Sequence, residues 1–307
     1  MYKFLYLILL LILALPIWAS EKLIIEPDQG RQPIIEAIQG AKNTVDLAMY
    51  GFTDPDLMQS FIQAKQQGKS VRILLQHFPY NNLDENLPAI QQFSDHQVNL
   101  VYAPSTFYLL HQKTLVLDHQ QALILTFNFT RSTFTKQRNF GLIIDDPVAV
   151  QEIQQVFNAD WQNKTIIPKV SRLVWSPDNS RAKILSFIHN AKKEIKIYAQ
   201  GLSDYQVIDA LVGAVKRGVS VQVLTSGPWP GKKWDYLKKA GVQIVLDKKL
   251  IIHAKVILVD QKKAFLGSIN FTQASIDKNR ELATMVQDPK IVTKLLEVFK
   301  RDWKEAG

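Results

Sequence analysis

The sequence predicts an α/β protein of two duplicated lobes, each a mixed β-sheet covered by helices, related by a pseudo-twofold with a functional site where the lobes meet. Three observations predict it. The chain repeats itself: Glu26-Pro-Asp28 with Arg31, Ile34, Ile38, Gly51, Asp54, Gly68 and Val71 recurs 150 residues later as Ser176-Pro-Asp178 with Arg181, Ile184, Ile188, Gly201, Asp204, Gly218 and Val221. Each copy alternates helical and strand periodicity, which favours parallel strands joined by right-handed helical crossovers. Each copy also ends on the same polar pattern set into apolar strands. His111, Lys113, Asp118 and Asn128 fall on His253, Lys255, Asp260 and Asn270, now 142 residues apart.

In copy one a helix is expected first, with Ile34, Ile35, Ile38 and Ala41 on one face, then a strand over 44–52. Asp54 is placed to cap a second helix carrying Leu57, Phe61 and Ala64 inward, and Gly68 ends it. A strand over 71–76, a loop over 78–88, a short helix over 89–93 and a strand over 98–103 follow. A hairpin bearing His111 and Lys113, a strand over 139–144 and a closing helix over 147–161 complete the copy. Copy two repeats the order with helices over 183–191, 204–217, 234–240 and 289–304 and strands over 194–201, 219–225 and 242–246. The expected organisation is a leader over 1–20, lobe one over 21–161, a linker over 162–175 and lobe two over 176–307.

Residues 4–20 carry no charge and follow Lys3, and the run ends Pro16-Ile-Trp-Ala19-Ser20. This pattern reads as a secretory signal, and so as an exported protein, with a membrane anchor over residues 4–20 as the alternative. Removing Lys3 leaves 36 basic residues against 28 acidic ones, a net charge of +8. A basic surface suits an anionic partner such as a phospholipid headgroup or nucleic acid. The absence of cysteine excludes a disulfide framework and thiolate metal sites.

The polar pattern suits phosphodiester chemistry. Folded as hairpins meeting on an axis, edge to edge or face to face, the two copies would bring together two imidazoles, two ammonium groups and two amides. One imidazole can attack phosphorus and the other protonate the leaving oxygen, while lysines and asparagines stabilise the equatorial oxygens. A single His-x-Lys on a strand is commonly an ordinary surface pair; the duplication is what gives the pattern weight. The remaining histidines, His77, His96, His119 and His189, are read as loop or surface residues.

The paired pattern resembles the phospholipase D superfamily, whose signature is His-x-Lys-x4-Asp-x6-Gly-Ser-x-Asn. His253, Lys255, Asp260, Gly267, Ser268 and Asn270 fit in full; copy one fits at His111, Lys113, Asp118 and Asn128 but has Leu125-Thr126 in place of Gly-Ser. The resemblance extends to a compact exported phospholipase D, nuclease-like and cardiolipin-hydrolase-like branch. It implies His111, His253, Lys113 and Lys255 as catalytic residues, Asn128, Asn270, Thr126 and Ser268 as phosphate-binding or orienting residues, and no metal or other cofactor. Asp118 and Asp260 are expected to cap the hairpin turns.

Glu281 lies as far beyond His253 as Asn139 lies beyond His111, and relatives place orienting groups there. A carboxylate beside His253 would raise its pKa and make it the acid; an amide beside His111 would leave that imidazole the nucleophile. The same order resembles tyrosyl-DNA phosphodiesterases, in which the first histidine attacks. The aromatic run Phe107-Tyr108 before His111, with Phe78 and Tyr80, favours hydrolysis or transfer of a phosphatidyl group at a membrane surface. Aromatic residues beside lysines, as in 228–234, also suit nucleic acid. An exported endonuclease is therefore the alternative, and a catalytically silent lipid- or nucleic-acid-binding protein the third reading. The expected assembly is a monomer with an internal pseudo-dimer.

Overall fold

The computed structural model describes residues 21–79, 84–227 and 231–307; the expected leader, Tyr80 and Trp229 lie outside them. Lobe one runs β1 (Glu21–Glu26), α1 (Gln32–Gly40), β2 (Thr44–Met49), α2 (Pro55–Gln66), β3 (Ser70–Leu75), α3 (Leu87–Asp95), β4 (Asn99–Tyr102), β5 (Thr114–Leu117), β6 (Gln121–Leu125), β7 (Gln137–Ile144) and α4 (Pro147–Trp161). Lobe two follows as β8 (Leu173–Ser176), α5 (Ser180–His189), β9 (Glu194–Ala199), α6 (Tyr205–Lys216), β10 (Ser220–Thr225), α7 (Lys232–Lys239), β11 (Gln243–Leu246), β12 (Ile251–Ile252), β13 (Lys255–Val259), β14 (Lys263–Gly267), α8 (Gln273–Asp277), β15 (Glu281–Val286) and α9 (Pro289–Ala306).

The sheets have equivalent orders, β1-β7-β6-β5-β2-β3-β4 and β8-β15-β14-β13-β9-β10-β11, and β12 of lobe two joins the first sheet beside β7. The β2-β3-β4 and β9-β10-β11 runs are parallel and the rest of each ordered run is antiparallel. Two expectations change. The expected linker gives its last three residues to β8, which pairs with β15. His253 stands outside β13, which starts at Lys255.

The two sheets pack face to face. Val116, Ile124 and Phe140 of lobe one share a core with Tyr198, Val256, Leu266 and Phe299 of lobe two. The alternate residues Leu115, Leu123 and Leu125 point to the outer core under α1 and α2. Strands buried on both faces read as unbroken apolar runs, as Ala122-Leu-Ile-Leu125 does. The α2 and α6 caps match: Asp54 accepts from Leu57 N–H and Asp204 from Val207 N–H, each carboxylate also held by an arginine, Arg31 or Arg181.

Candidate active site

His111 and His253 each sit on an arm just ahead of a strand, and each arm lies along the opposite lobe. In the first arm, His111 and Gln112 N–H donate to Arg280 O, both at 3.0 Å, and Arg280 N–H donates back to Leu109 O at 2.9 Å. In the second, His253 and Ala254 N–H donate to Arg138 O at 3.2 and 3.0 Å, and β12 pairs with the start of β7. Arg138 and Arg280 are themselves pinned across the boundary. Arg138 bonds Asp302 and Asp28, and Arg280 bonds Asp160 and Asp178.

These crossed arms decide which group orients which histidine. His111 Nδ1 lies 2.8 Å from Glu281 Oε2, and His253 Nδ1 lies 3.0 Å from Asn139 Oδ1. This corrects the expectation that each orienting residue serves the histidine of its own copy: Glu281 serves His111 and Asn139 serves His253. The physical reason is the arm, which delivers each imidazole to the strand end of the other lobe.

The partners fix the ring orientations. Thr126 Oγ1 accepts from Phe140 N–H at 2.9 Å, so its proton goes to Asn139 Oδ1, also at 2.9 Å. The amide oxygen therefore faces His253, whose Nδ1 donates to it. Glu281 Oε1 takes Asn279 Nδ2–H at 3.0 Å, which leaves Oε2 for His111. Both rings then keep Nε2 for other chemistry.

Burial and nearby lysines set the charges. Burial pushes His111 down to about 4, with Glu281 pulling the other way and Lys113 and Lys255 adding to the fall. Burial also lowers His253 well below its ordinary value, helped by Lys255, Lys113 and His111. Burial would raise the carboxyl of Glu281, but His111, Lys113 and Asn279 hold it below its usual range, so it is ionised. Lys113 drops to about 7 through burial, opposed by Glu281 and Glu85. Lys255 falls well below its usual value by burial and then by Lys113. Burial thus disfavours the charged forms of these basic groups, and an anion bound beside them would favour those forms again.

Both lysines are at most 1% exposed. Lys113 Nζ donates to His111 O at 2.6 Å and lies 5.1 Å from the centre of the Tyr50 ring. Lys255 Nζ donates to Thr126 O at 3.0 Å and lies 3.1 Å from His253 Nδ1. Asn128 and Asn270 each hold a buried amide oxygen with no protein partner, and they sit against Gly51 and Gly201.

Two expected roles change. Thr126 and Ser268 are fully buried and spend their hydroxyls inside the protein, Thr126 on Asn139 and Phe140 and Ser268 on Leu282; they orient and do not face the site. Asp118 and Asp260 do not cap their own turns. Each takes a positive φ in a tight hairpin turn and accepts three backbone N–H groups from the start of β2 or β9 and the two residues before it: Lys42, Asn43 and Thr44, or Lys192, Lys193 and Glu194.

Sequence reasoning missed several residues. Tyr50 meets His111 edge-on at 4.8 Å between ring centres, and Gln76 Oε1 accepts Leu110 N–H at 2.8 Å. Asn279 and Glu85 were also passed over. Tyr50 stands one residue before the repeated glycine, which was the available signal. His77, read as a loop residue, stacks between Phe78 and Tyr102 at 3.8 and 3.9 Å.

Comparison with known proteins agrees with this architecture. The family model described as "Cardiolipin synthase, PLD-like domain" matches residues 34–161 and again 184–303. Cardiolipin synthase 2 of Bacillus anthracis is 24% identical over 91% of this chain and 64% of its own length. A phospholipase D of Rickettsia bellii is 32% identical over 42% of this chain and 66% of its own length. The chain therefore spans about two thirds of the first of these proteins. In fold, it matches the phosphatidylserine synthase of Haemophilus influenzae with a TM-score of 0.72 at 14% identity, over 93% of this chain and 86% of that one.

Proposed function

The chain belongs to the phospholipase D-like family, whose members are phosphodiesterases, and from that premise we propose that it hydrolyses or transfers the phosphatidyl group of phospholipids through a phosphohistidine. The observation that carries this reading is the unequal pair of imidazoles, one on a carboxylate and one on an amide. Phosphorylating His111 at Nε2 leaves a positive ring, which the Glu281 carboxylate compensates. His253, on a neutral acceptor, gives up a proton more easily than a carboxylate-bound imidazole would. His111 therefore remains the nucleophile and His253 the acid, for the opposite reason to the one the sequence suggested.

The phosphodiester anion first draws protons onto Lys113, Lys255 and His253. His111 Nε2 forms a bond to phosphorus while the bond to the headgroup oxygen breaks, and His253 Nε2–H hands that oxygen its proton. Water then attacks phosphorus and gives its proton to His253, the N–P bond breaks, and phosphatidic acid leaves. An alcohol in place of water gives transfer. Lys113 and Lys255, with Asn128 and Asn270, stabilise the equatorial oxygens. No step requires a metal.

A lipid substrate is supported by Phe78, Tyr102 and Tyr108, exposed aromatic residues on loops and a strand end on the His111 side. Among the described residues no helix is long and apolar enough to cross a membrane. Export directed by residues 1–20 is part of the proposal and is read out by cell fractionation.

The test incubates the purified protein with EDTA and phosphatidylcholine, phosphatidylglycerol, cardiolipin, or single- or double-stranded DNA and RNA. Headgroup release that persists in EDTA supports the reading. Nucleic acid cleavage without lipid turnover would replace it with the nuclease.

A further inference from the structure

The two copies differ most in chain length between β3 and α3, where lobe one has eleven residues, and between β10 and α7, where lobe two has six. Glu85 belongs to the longer of these two stretches. Its carboxylate points back at the site: Glu85 Oε1 lies 3.4 Å from the point a Cβ on Gly51 would occupy. Asn128 Nδ2 lies 3.3 Å from the same point, so the acid and the amide flank one spot beside Tyr50. The following residue, Asn86, is fully buried and fixes the loop end, accepting from Phe52 N–H and donating to Tyr50 O and Gln76 O. Glu85 is half-buried, and it interacts electrostatically with Lys113, which draws its pKa down while burial raises it above the ordinary value.

A carboxylate is an odd neighbour for a phosphate site. It weakens any anion there, and it weakens a doubly charged one most. We infer that Glu85 is a charge filter, a specificity residue that admits phosphodiesters, with one negative charge, and disfavours phosphomonoesters, with two. This rests on the phosphodiesterase reading but not on whether the substrate is lipid or nucleic acid, because either reaction starts from a diester and yields a monoester. Glu85 would also speed product departure, since hydrolysis of the phosphohistidine creates the second charge next to it.

The test compares methyl phosphate with dimethyl phosphate, which differ by one methyl group and, at pH 7.5, by about one charge. Binding is followed by the imidazole NMR signals of the full protein, wild type and Glu85→Gln, with the folded state of the variant checked by its melting curve. The ratio of the two Kd values should move about tenfold toward methyl phosphate in Glu85→Gln, and stay near wild type in Glu85→Asp. Glu85 also supports the charge of Lys113, and losing that support weakens the dianion more and opposes the shift, so the ratio is also compared between Lys113→Met and the double variant Lys113→Met, Glu85→Gln, where that effect is absent. If both probes bind and the ratio does not move in either background, the filter is wrong and the phosphodiesterase reading stands. If neither probe binds the wild-type protein, both fall.

Discussion

Glu281 lies in lobe two and holds His111 of lobe one, Oε2 to Nδ1 at 2.8 Å, while Asn139 of lobe one holds His253 of lobe two at 3.0 Å. Neither half contains a complete histidine with its orienting partner. This crossing sets what each substitution should do.

Replacing Asn139 by Asp puts a carboxylate against His253. An opposite charge at that distance raises the imidazole pKa by about one to three units. His253 must be protonated to act as the acid, so the falling limb of the kcat/KM profile should move to higher pH. A profile that moved on its rising limb instead would identify His253 as the nucleophile.

Lys113 is held near 7 against an ordinary 10.5, chiefly by burial. A base with a depressed pKa adds stability that is complete above its unfolded value and is lost as pH falls through the folded one, so at neutral pH Lys113 costs stability. Lys113→Met should abolish turnover yet raise the unfolding free energy at pH 7 by about 2 kcal/mol or more. Binding of inorganic phosphate to the wild type should take up protons, seen as a buffer-dependent calorimetric enthalpy.

Glu26 is fully buried, with one carboxylate oxygen bonded to Gly30 N–H and the other without a partner, and burial drives its pKa to about 8. An acid raised in this way stabilises fully below about 4.5, and that contribution is lost as pH rises through 8. Glu26→Gln should be near neutral at pH 5 and stabilising at pH 9, by up to ~4 kcal/mol. Urea unfolding at the two pH values checks the sign.

At Gly267 an added Cβ would sit 2.3 Å from Ala283 Cα and from Leu282 O, which are backbone atoms. At Gly141 it would meet side-chain atoms, the tip of Leu125 at 2.7 Å and Ile24 Cβ at 3.3 Å. Gly267→Ala should therefore cost about 3 kcal/mol and Gly141→Ala about 1 kcal/mol, as urea unfolding would show.

That last pair explains the departure of copy one from its family pattern. Leu125 stands across from Gly141, and Gly267 across from Ala283. The small residue has changed strands, so the loss of Gly in the motif is a repacking between neighbouring strands. Sequence spacing exposed the duplication, the mixed sheets and the caps at Asp54 and Asp204 because these depend on local period and repeat. It also brought the two histidine motifs to notice. It could not show that the arms cross, since the backbone bonds from His111 and His253 to the opposite lobe leave no mark in spacing. Pairing Glu281 with the histidine of its own copy followed from treating each repeat as self-contained. β12 escaped notice for the same reason: two residues make no period, and their partner lies in the other sheet.

The crossed partners carry one further consequence. Two identical chains assembled about a twofold must give both imidazoles the same neighbour, either amide with amide or carboxylate with carboxylate. A division of labour between nucleophile and acid would then have to arise anew each time a substrate broke the symmetry. Joining the copies into one chain removes that obligation, because position 139 and position 281 can differ permanently. The asymmetry between the histidines is thus inherited in the covalent chain, and the order of the two steps is decided before any substrate arrives.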